Sequence, residues 1–311
     1  MKVLEIKDLL KRFQDLVAVD NINLSVNEGE IYGLLGPNGA GKSTIINLIC
    51  GLLRKDKGQI LVLGKDSIKE QNFVKKNIGI VPQDIAIYME LTAYENVSFF
   101  GSLYGLRGKE LKEKSMEALR FVGLEDKAKE YPKKFSGGMK RRLNIACAIV
   151  HTPKLIIMDE PTVGIDPQSR NHILNSIRKL NGDGCTIIYT THYMEEVEAL
   201  CSKAAIIDHG KVIAEGTLED LKTLVTDVST VNIGIDDTSN CNEEEIKAIK
   251  GVLDVSIDES LVSISSKKEV NNLDKLIGYF INNNIKILSV ETKAPNLETV
   301  FLSLTGRKLR D

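Results

Sequence analysis

Gly36-Pro37-Asn38-Gly39-Ala40-Gly41-Lys42-Ser43-Thr44 follows directly on an apolar run, residues 31–35, and opens an apolar-periodic segment, residues 44–53. The run reads as a buried strand and the segment as a helix, so these nine residues form a strand-to-helix turn. Glycines let such a turn curl until successive backbone N–H groups point inward at phosphate oxygens, and the helix N-terminus adds the positive end of its dipole. Lys42 then offers a point charge to the β- and γ-phosphates, and Ser43 a hydroxyl to Mg²⁺. The stretch predicts a nucleoside-triphosphate site on an α/β fold. It does not separate kinases, GTPases, motors and transport ATPases.

Further along, residues 155–158 form a second apolar strand run that ends in Asp159-Glu160. Paired carboxylates at the C-terminal edge of a parallel sheet stand where such folds place ligands. Asp159 is expected to hold the Mg²⁺ shell, and Glu160 to polarise the attacking water. Taken alone, Asp-Glu before Pro161 is equally a plain strand-to-turn boundary. The run 186–190 ends in Thr191-His192, which sets an imidazole at the next strand edge, where it can bond a γ-phosphate. Gln83 follows the run 78–81 and offers an uncharged amide to Mg²⁺ or to the water. On its own, either residue is also compatible with a structural role.

Those runs, with residues 204–207, alternate with helical patterns, the signature of a mostly parallel sheet covered by helices. Residues 91–150 interrupt the alternation: Leu111, Met116, Leu119 and Val122 recur at helical spacing, which predicts a helical subdomain inserted in the sheet. After Ser229 the chain grows rich in Asn, Asp and Glu. It reads there as strand (230–235), helix (243–250), two strands (252–257 and 261–264), helix and strand (285–291), a small α+β domain of the split βαβ kind. The expected division is therefore 1–226 and 227–311. Leu297, Val300, Phe301 and Leu304 form one apolar stripe, which either closes the core of that domain or docks on a partner.

A net charge of -2 and a pI near 6.2 give no electrostatic footprint for nucleic acid, and Lys140-Arg141-Arg142 reads as a solvated helix face. Cys50, Cys147, Cys185, Cys201 and Cys241 are widely spaced and contain no Cys-x-x-Cys pair, which argues against a disulfide framework or zinc site and suits a reducing cytosol. The charged start Met1-Lys2-Val3-Leu4-Glu5 is not expected to be a secretory signal. No apolar run approaches the ~18 to 20 residues that cross a bilayer. A soluble protein is expected, serving any membrane from outside it.

Phe135-Ser136-Gly137-Gly138-Met139-Lys140-Arg141-Arg142-Leu143, about 20 residues before the acidic strand, resembles the signature motif of ABC-transporter ATPases. Ser136 with Gly137 and Gly138 opens a helix, a second anion site of the helix-N-terminus type. The resemblance implies a P-loop NTPase core of ABC type. Gln83 would be its Q-loop, Ser136 to Lys140 its signature, residues 155–160 its Walker B strand, Gly164-Ile165-Asp166 its D-loop and His192 its switch histidine. It also implies a head-to-tail homodimer. ATP would be sandwiched between Gly36 to Thr44 of one subunit and Ser136, Gly137, Gly138 and Asp166 of the other. Phe13, 23 positions before Gly36, matches the aromatic that stacks on adenine, although a Phe beside a strand is also an ordinary core residue.

Met139-Lys140, Phe135 and Ile165 depart from the widest form of the pattern without removing a catalytic group. The run Ser-Gly-Gly-Met-Lys-Arg-Arg-Leu, with the tail from Pro295 to Gly306, resembles the branch of daunorubicin-type drug- and antibiotic-resistance exporters and related lipid exporters. That branch implies an ATP-hydrolysing subunit at the cytoplasmic face of the membrane, with Mg²⁺ as cofactor, separate permease subunits as partners and residues 85–100 passing motion to them. The family also contains soluble ATPases acting on ribosomes or DNA, which usually carry two cassettes or a long coiled coil. The C-terminal domain is expected to be accessory or regulatory. The resemblance also implies that the cargo is recognised by the membrane subunits, so that it is not written in this chain.

Overall fold

The computed structural model of the chain describes residues 1–224, 228–237, 241–258, 260–267, 269–293 and 296–305. They form two compact units, Met1–Thr217 and the residues from Leu218 onward. The division expected between residues 226 and 227 lies outside the described residues.

The first unit opens with two long strands, β1 (Lys2–Phe13) and β2 (Leu16–Asn27), then β3 (Ile31–Leu35), α1 (Lys42–Ile49), β4 (Lys57–Val62), β5 (Lys65–Asp66), α2 (Gln71–Asn77) and β6 (Ile78–Val81). Three helices follow, α3 (Ala93–Leu103), α4 (Gly108–Phe121) and α5 (Gly137–Ile149). The unit then alternates β7 (Leu155–Asp159), α6 (Pro167–Gly182), β8 (Thr186–Thr191), α7 (Met194–Leu200), β9 (Lys203–Asp208) and β10 (Lys211–Thr217).

The central sheet has the order β10-β9-β3-β8-β7-β6 and is parallel except at β10. Every residue of β3, β7 and β8 is buried, which is why these strands are near-continuous apolar runs without alternation. Each fully buried Ile or Leu there contributes about 1.5–3 kcal/mol of burial. The register sets Leu35 beside Thr191, Asp159 beside Thr190, and Val81 beside Met158. The C-terminal ends of β3, β8, β7 and β6 are thus level, and whatever follows them shares one edge.

A second sheet, β2-β1-β4-β5, is antiparallel and lies outside the strand runs expected from the sequence. Ile22, Leu24 and Val26 alternate inward along β2 and join Ile45, Ile49 and Ile188 in one core. The helical arm starts at a capping box: Thr92 Oγ1 accepts from Glu95 N while Glu95 Oε2 accepts from Thr92 N. Helices α3, α4 and α5 pack on one another, with no strand among the described residues between them.

The second unit comprises α8 (Leu218–Thr223), β11 (Val228–Ile235), α9 (Glu243–Lys247), β12 (Val252–Asp258), β13 (Leu261–Lys267), α10 (Leu273–Asn282), β14 (Ile287–Lys293) and α11 (Leu297–Thr305). Its sheet, β12-β13-β11-β14, is antiparallel, and Ile233, Ile235, Val262, Ile264, Leu276 and Phe280 fill its core. Helix α11 packs against α8 and buries Leu297, Val300 and Phe301, leaving Leu304 partly exposed. Most of the apolar stripe is therefore covered within the chain.

Candidate active site

The turn after β3 is wedged between two strands. A Cβ on Gly36 would come within 2.3 Å of the Ile207 carbonyl, and one on Gly41, whose φ is 106°, within 2.5 Å of the Ala18 carbonyl. Only glycine fits either place. The Gly210 N–H donates to Ala40 O at 2.9 Å, and the Asp20 N–H to Gly210 O at 2.8 Å, which ties the loop to the β9–β10 turn and to β2. Lys42 is buried, and its Nζ donates to the carbonyls of Gly36 at 2.7 Å and Pro37 at 3.1 Å. Burial lowers its pKa, and the Glu160 carboxylate, with Oε1 at 3.6 Å, opposes that shift.

Glu160 adopts φ 46°, the left-handed region that side chains other than glycine seldom occupy. The cost, on the order of 1–3 kcal/mol, is carried by β8: Glu160 N donates to Thr190 O at 3.2 Å and Thr190 Oγ1 at 3.0 Å. Thr190 Oγ1 in turn donates to Asp159 Oδ1 at 2.6 Å, so one threonine holds the Asp159 carboxylate and the Glu160 backbone. Around the Glu160 carboxylate stand Lys42, Gln83, whose Nε2 donates to Oε2 at 3.3 Å, and His192. His192 Nδ1 lies 3.3 Å from Oε1 without the alignment of a hydrogen bond.

Lys42, Gln83 and Glu160 open on a cleft of 470 Å³ lined also by Phe13 and the rest of the loop from Asn38 to Thr44, whereas His192 and Asp159 stand behind its lining. That volume lies within the range of small-ligand sites. Phe13 is 42% exposed, with Lys11 Nζ 5.2 Å from its ring centroid, so it is not a core residue.

The signature residues lie elsewhere. Ser136 caps α5, its Oγ accepting from Met139 N at 3.2 Å, and Asp166 caps α6, its Oδ1 accepting from Ser169 N at 2.9 Å. A Cβ on Gly138 would fall 2.2 Å from Ser169 Oγ, so the two helix starts are packed together. Ser136, Gly137 and Asp166 are exposed, and none of the signature residues lines the cleft.

The model of the ABC transporter family matches residues 19–163. The linearmycin resistance ATP-binding protein LnrL of Bacillus subtilis (strain 168) is 45% identical over 311 residues, 99% of this chain and 100% of that protein. This chain belongs to the ABC transporter ATP-binding family. The daunorubicin/doxorubicin resistance ATP-binding protein DrrA of Streptomyces peucetius is 35% identical over 313 residues, 100% of this chain and 94% of that protein. The dimeric post-hydrolysis structure of the ATP-binding cassette MJ0796, bound to ADP and Pi, superposes with a TM-score of 0.63 at 28% identity, covering 69% of this chain and 98% of that one. The α/β ABC-type ATPase fold, the ATP-hydrolysing activity and the drug-resistance branch expected from the motifs agree with these likenesses.

One reading of this ABC ATPase's sequence needs correction. The basic triplet at 140–142 is not a solvated face: Arg141 is buried, and Arg142 Nη1 donates to the Val122 and Gly123 carbonyls at 3.0 and 3.3 Å, closing the end of α4. Other groups went unread. Leu16, Val17, Ala18, His209 and Gly210 also line the cleft. Behind His192, the buried Glu196 carboxylate accepts from the hydroxyls of Tyr189 at 2.7 Å and of Thr162 and Thr191 at 2.9 Å each, with Arg170 Nε 3.6 Å away. The one available signal is a histidine-glycine pair in a tight turn after an apolar strand; β2 residues and a glutamate in the first turn of a helix, where acidic residues are ordinary, carry none.

Proposed function

We propose that this chain is the ATP-hydrolysing subunit of an exporter for a drug, antibiotic or lipid-like amphiphile, working on separate membrane permeases from the cytoplasmic face. One observation carries the reading: the buried carboxylate of Glu160, which lines a glycine-walled cleft together with Lys42 and Gln83, faces both of them and His192, while Ser136 to Gly138 stand outside that cleft.

In this reading Asn38 to Thr44 grip the triphosphate with backbone N–H groups, and Lys42 exchanges its two carbonyl partners for phosphate oxygens. Phe13 stacks on the adenine. Glu160 accepts a proton from the attacking water as it polarises it, and Gln83 and His192 orient that water and the γ-phosphate. Mg²⁺ arriving with the phosphates would be held by Ser43 and Gln83, which open on the cleft, and by Asp159, one of whose oxygens Thr190 fixes; it would neutralise charge on the transferred group. Ser136, Gly137, Gly138 and Asp166 of a second copy complete each site, so the working form is a head-to-tail homodimer.

Permease docking is supported by an open, largely apolar groove of 510 Å³ on the first unit, lined by Leu52, Ile80, Phe100, Leu103 and Tyr104. Tyr88 and Phe99 lie exposed near it, stacked edge to face 5.0 Å apart. No helix of the described residues is long and apolar enough to cross a membrane. The export reading draws on the resistance proteins to which the chain is similar. The C-terminal residues, 227–311, serve as an accessory, regulatory domain.

The test is Glu160→Gln in the full chain. It is expected to bind ATP and form ATP-dependent dimers while turnover falls by about 10²-fold or more. Unchanged steady-state hydrolysis would remove Glu160 from the role of base, and unchanged hydrolysis in Lys42→Ala would remove the cleft itself.

A further inference from the structure

Arg141 lies one turn into α5 and is 3% exposed. Its Nη1 donates to the Pro82 carbonyl at 2.6 Å and its Nη2 to the Gln83 carbonyl. These acceptors are consecutive main-chain oxygens of the segment leaving β6, and the next group along is the Gln83 amide that reaches Glu160 at 3.3 Å. The third guanidinium nitrogen, Nε, is buried without an acceptor. Burial pulls the guanidinium's pKa down, and the field of the Asp84 carboxylate opposes that shift. Burying a guanidinium against neutral carbonyls is costly, and a helix that needed only packing here would be served by Met or Leu. What the planar fork supplies, and an apolar side chain does not, is a fixed position and orientation for two successive peptide groups.

We infer that Arg141 is a positioning residue that couples the signature helix to Gln83. The start of α5 carries Ser136 and Gly137, the groups assigned above to a partner copy's nucleotide, and Arg141 stands one turn behind them. A displacement of that helix start is passed through the fork to the amide facing Glu160. Each copy's own cleft thereby senses whether its signature is engaged. The inference rests on the proposed ATPase site.

Steady-state ATP hydrolysis by the full chain tests it, with Arg141→Met, Arg141→Lys, Gln83→Ala, the double variant Arg141→Met/Gln83→Ala, and Arg142→Met as a control on the same helix. Arg141→Met is expected to lower kcat about ten- to a hundredfold while KM for ATP moves less than about threefold, since the cleft lining is untouched. If Arg141 acts through Gln83, the double variant is no slower than Gln83→Ala alone, whereas independent roles would multiply. Arg141→Lys keeps one of the two bonds and recovers part of the rate. Arg142→Met, which uncaps α4, lowers the melting temperature and leaves kcat in place.

Multiplying losses would overturn the inference, and so would an Arg142→Met defect in kcat equal to that of Arg141→Met. If Arg141→Met does not fold, the same cycle is run with Arg141→Lys. Wild-type protein that hydrolyses no ATP would sink the site reading as a whole. Turnover that depends on Lys42 but shows an additive cycle sinks only the role of Arg141.

Discussion

Two helix starts in this molecule are built from glycines and a serine, and they could hardly be used more differently. At α1 the loop is pressed between β2 and β9, Lys42 is buried, and strand ends converge on one cleft. At α5 the same kind of donor array is bare: Ser136 and Gly137 are exposed, and the neighbours are Asp166 and Ser169 of the same surface. A helix N-terminus favours an anion wherever it stands. The first start has a cleft around it to fix that anion; the second has none, and in the proposed reading a partner copy supplies the rest of its site. In that reading the chain therefore carries its own grip on nucleotide and shares its catalytic chamber with a second copy.

The most damaging way to break this comparison is Gly137→Asp. A Cβ at Gly137 meets only Ile165 Cδ1, at 3.9 Å, so the chain itself tolerates a side chain there. The new carboxylate would face the phosphates of a partner-bound ATP and repel them. In a Glu160→Gln background, ATP-dependent dimerisation measured by sedimentation is expected to weaken by about a hundredfold or more, while nucleotide affinity per chain stays within about threefold. Equal loss of both would mean that the signature acts on nucleotide in its own chain.

Much of the first half of the site was legible because it is local. Gly36 to Thr44 must sit between a strand and a helix, and Asp159, Glu160 and His192 fall at the ends of buried strands that betray themselves as apolar runs. What was illegible depends on contacts far apart in sequence. β1 and β2 were missed, although they carry Phe13 and Ala18, because an antiparallel strand with bulges breaks its own alternation. Arg141 was misread as solvated because a basic triplet on a helix gives no hint that the β6 segment passes over it. Glu196 was missed for the same reason: its three hydroxyl donors come from two different segments, and only the fold assembles them.

A milder test acts on the gripping side alone. Phe13→Ala removes the exposed ring from the cleft and is expected to weaken ATP binding about tenfold by titration calorimetry, the scale of a lost aromatic stack. Dimerisation at saturating ATP should be unchanged. If affinity does not move, adenine rests elsewhere along the wall formed by Val17 and Ala18.

The smallest effect concerns the far end of α5, where the helical arm is anchored rather than bare. His151 stacks on Tyr104 with centroids 3.5 Å apart, and its Nε2 bonds the Ile78 carbonyl at 3.1 Å. Burial holds its pKa down at about 4. A histidine depressed in the folded state remains neutral there while the unfolded chain, near 6.5, takes up a proton. The unfolded state then binds more protons, so stability is lost as pH falls below about 6.5 and is fully present above it. Between pH 6.5 and 5.5 this one group should cost about 1 kcal/mol, or roughly 2 °C in melting temperature. Carboxylates titrate in the lower part of that window too, so the measure is the difference in pH slope between wild type and His151→Phe, which keeps the stack and removes the titration. Identical slopes would show that His151 ionises freely in the folded chain and does not anchor the arm.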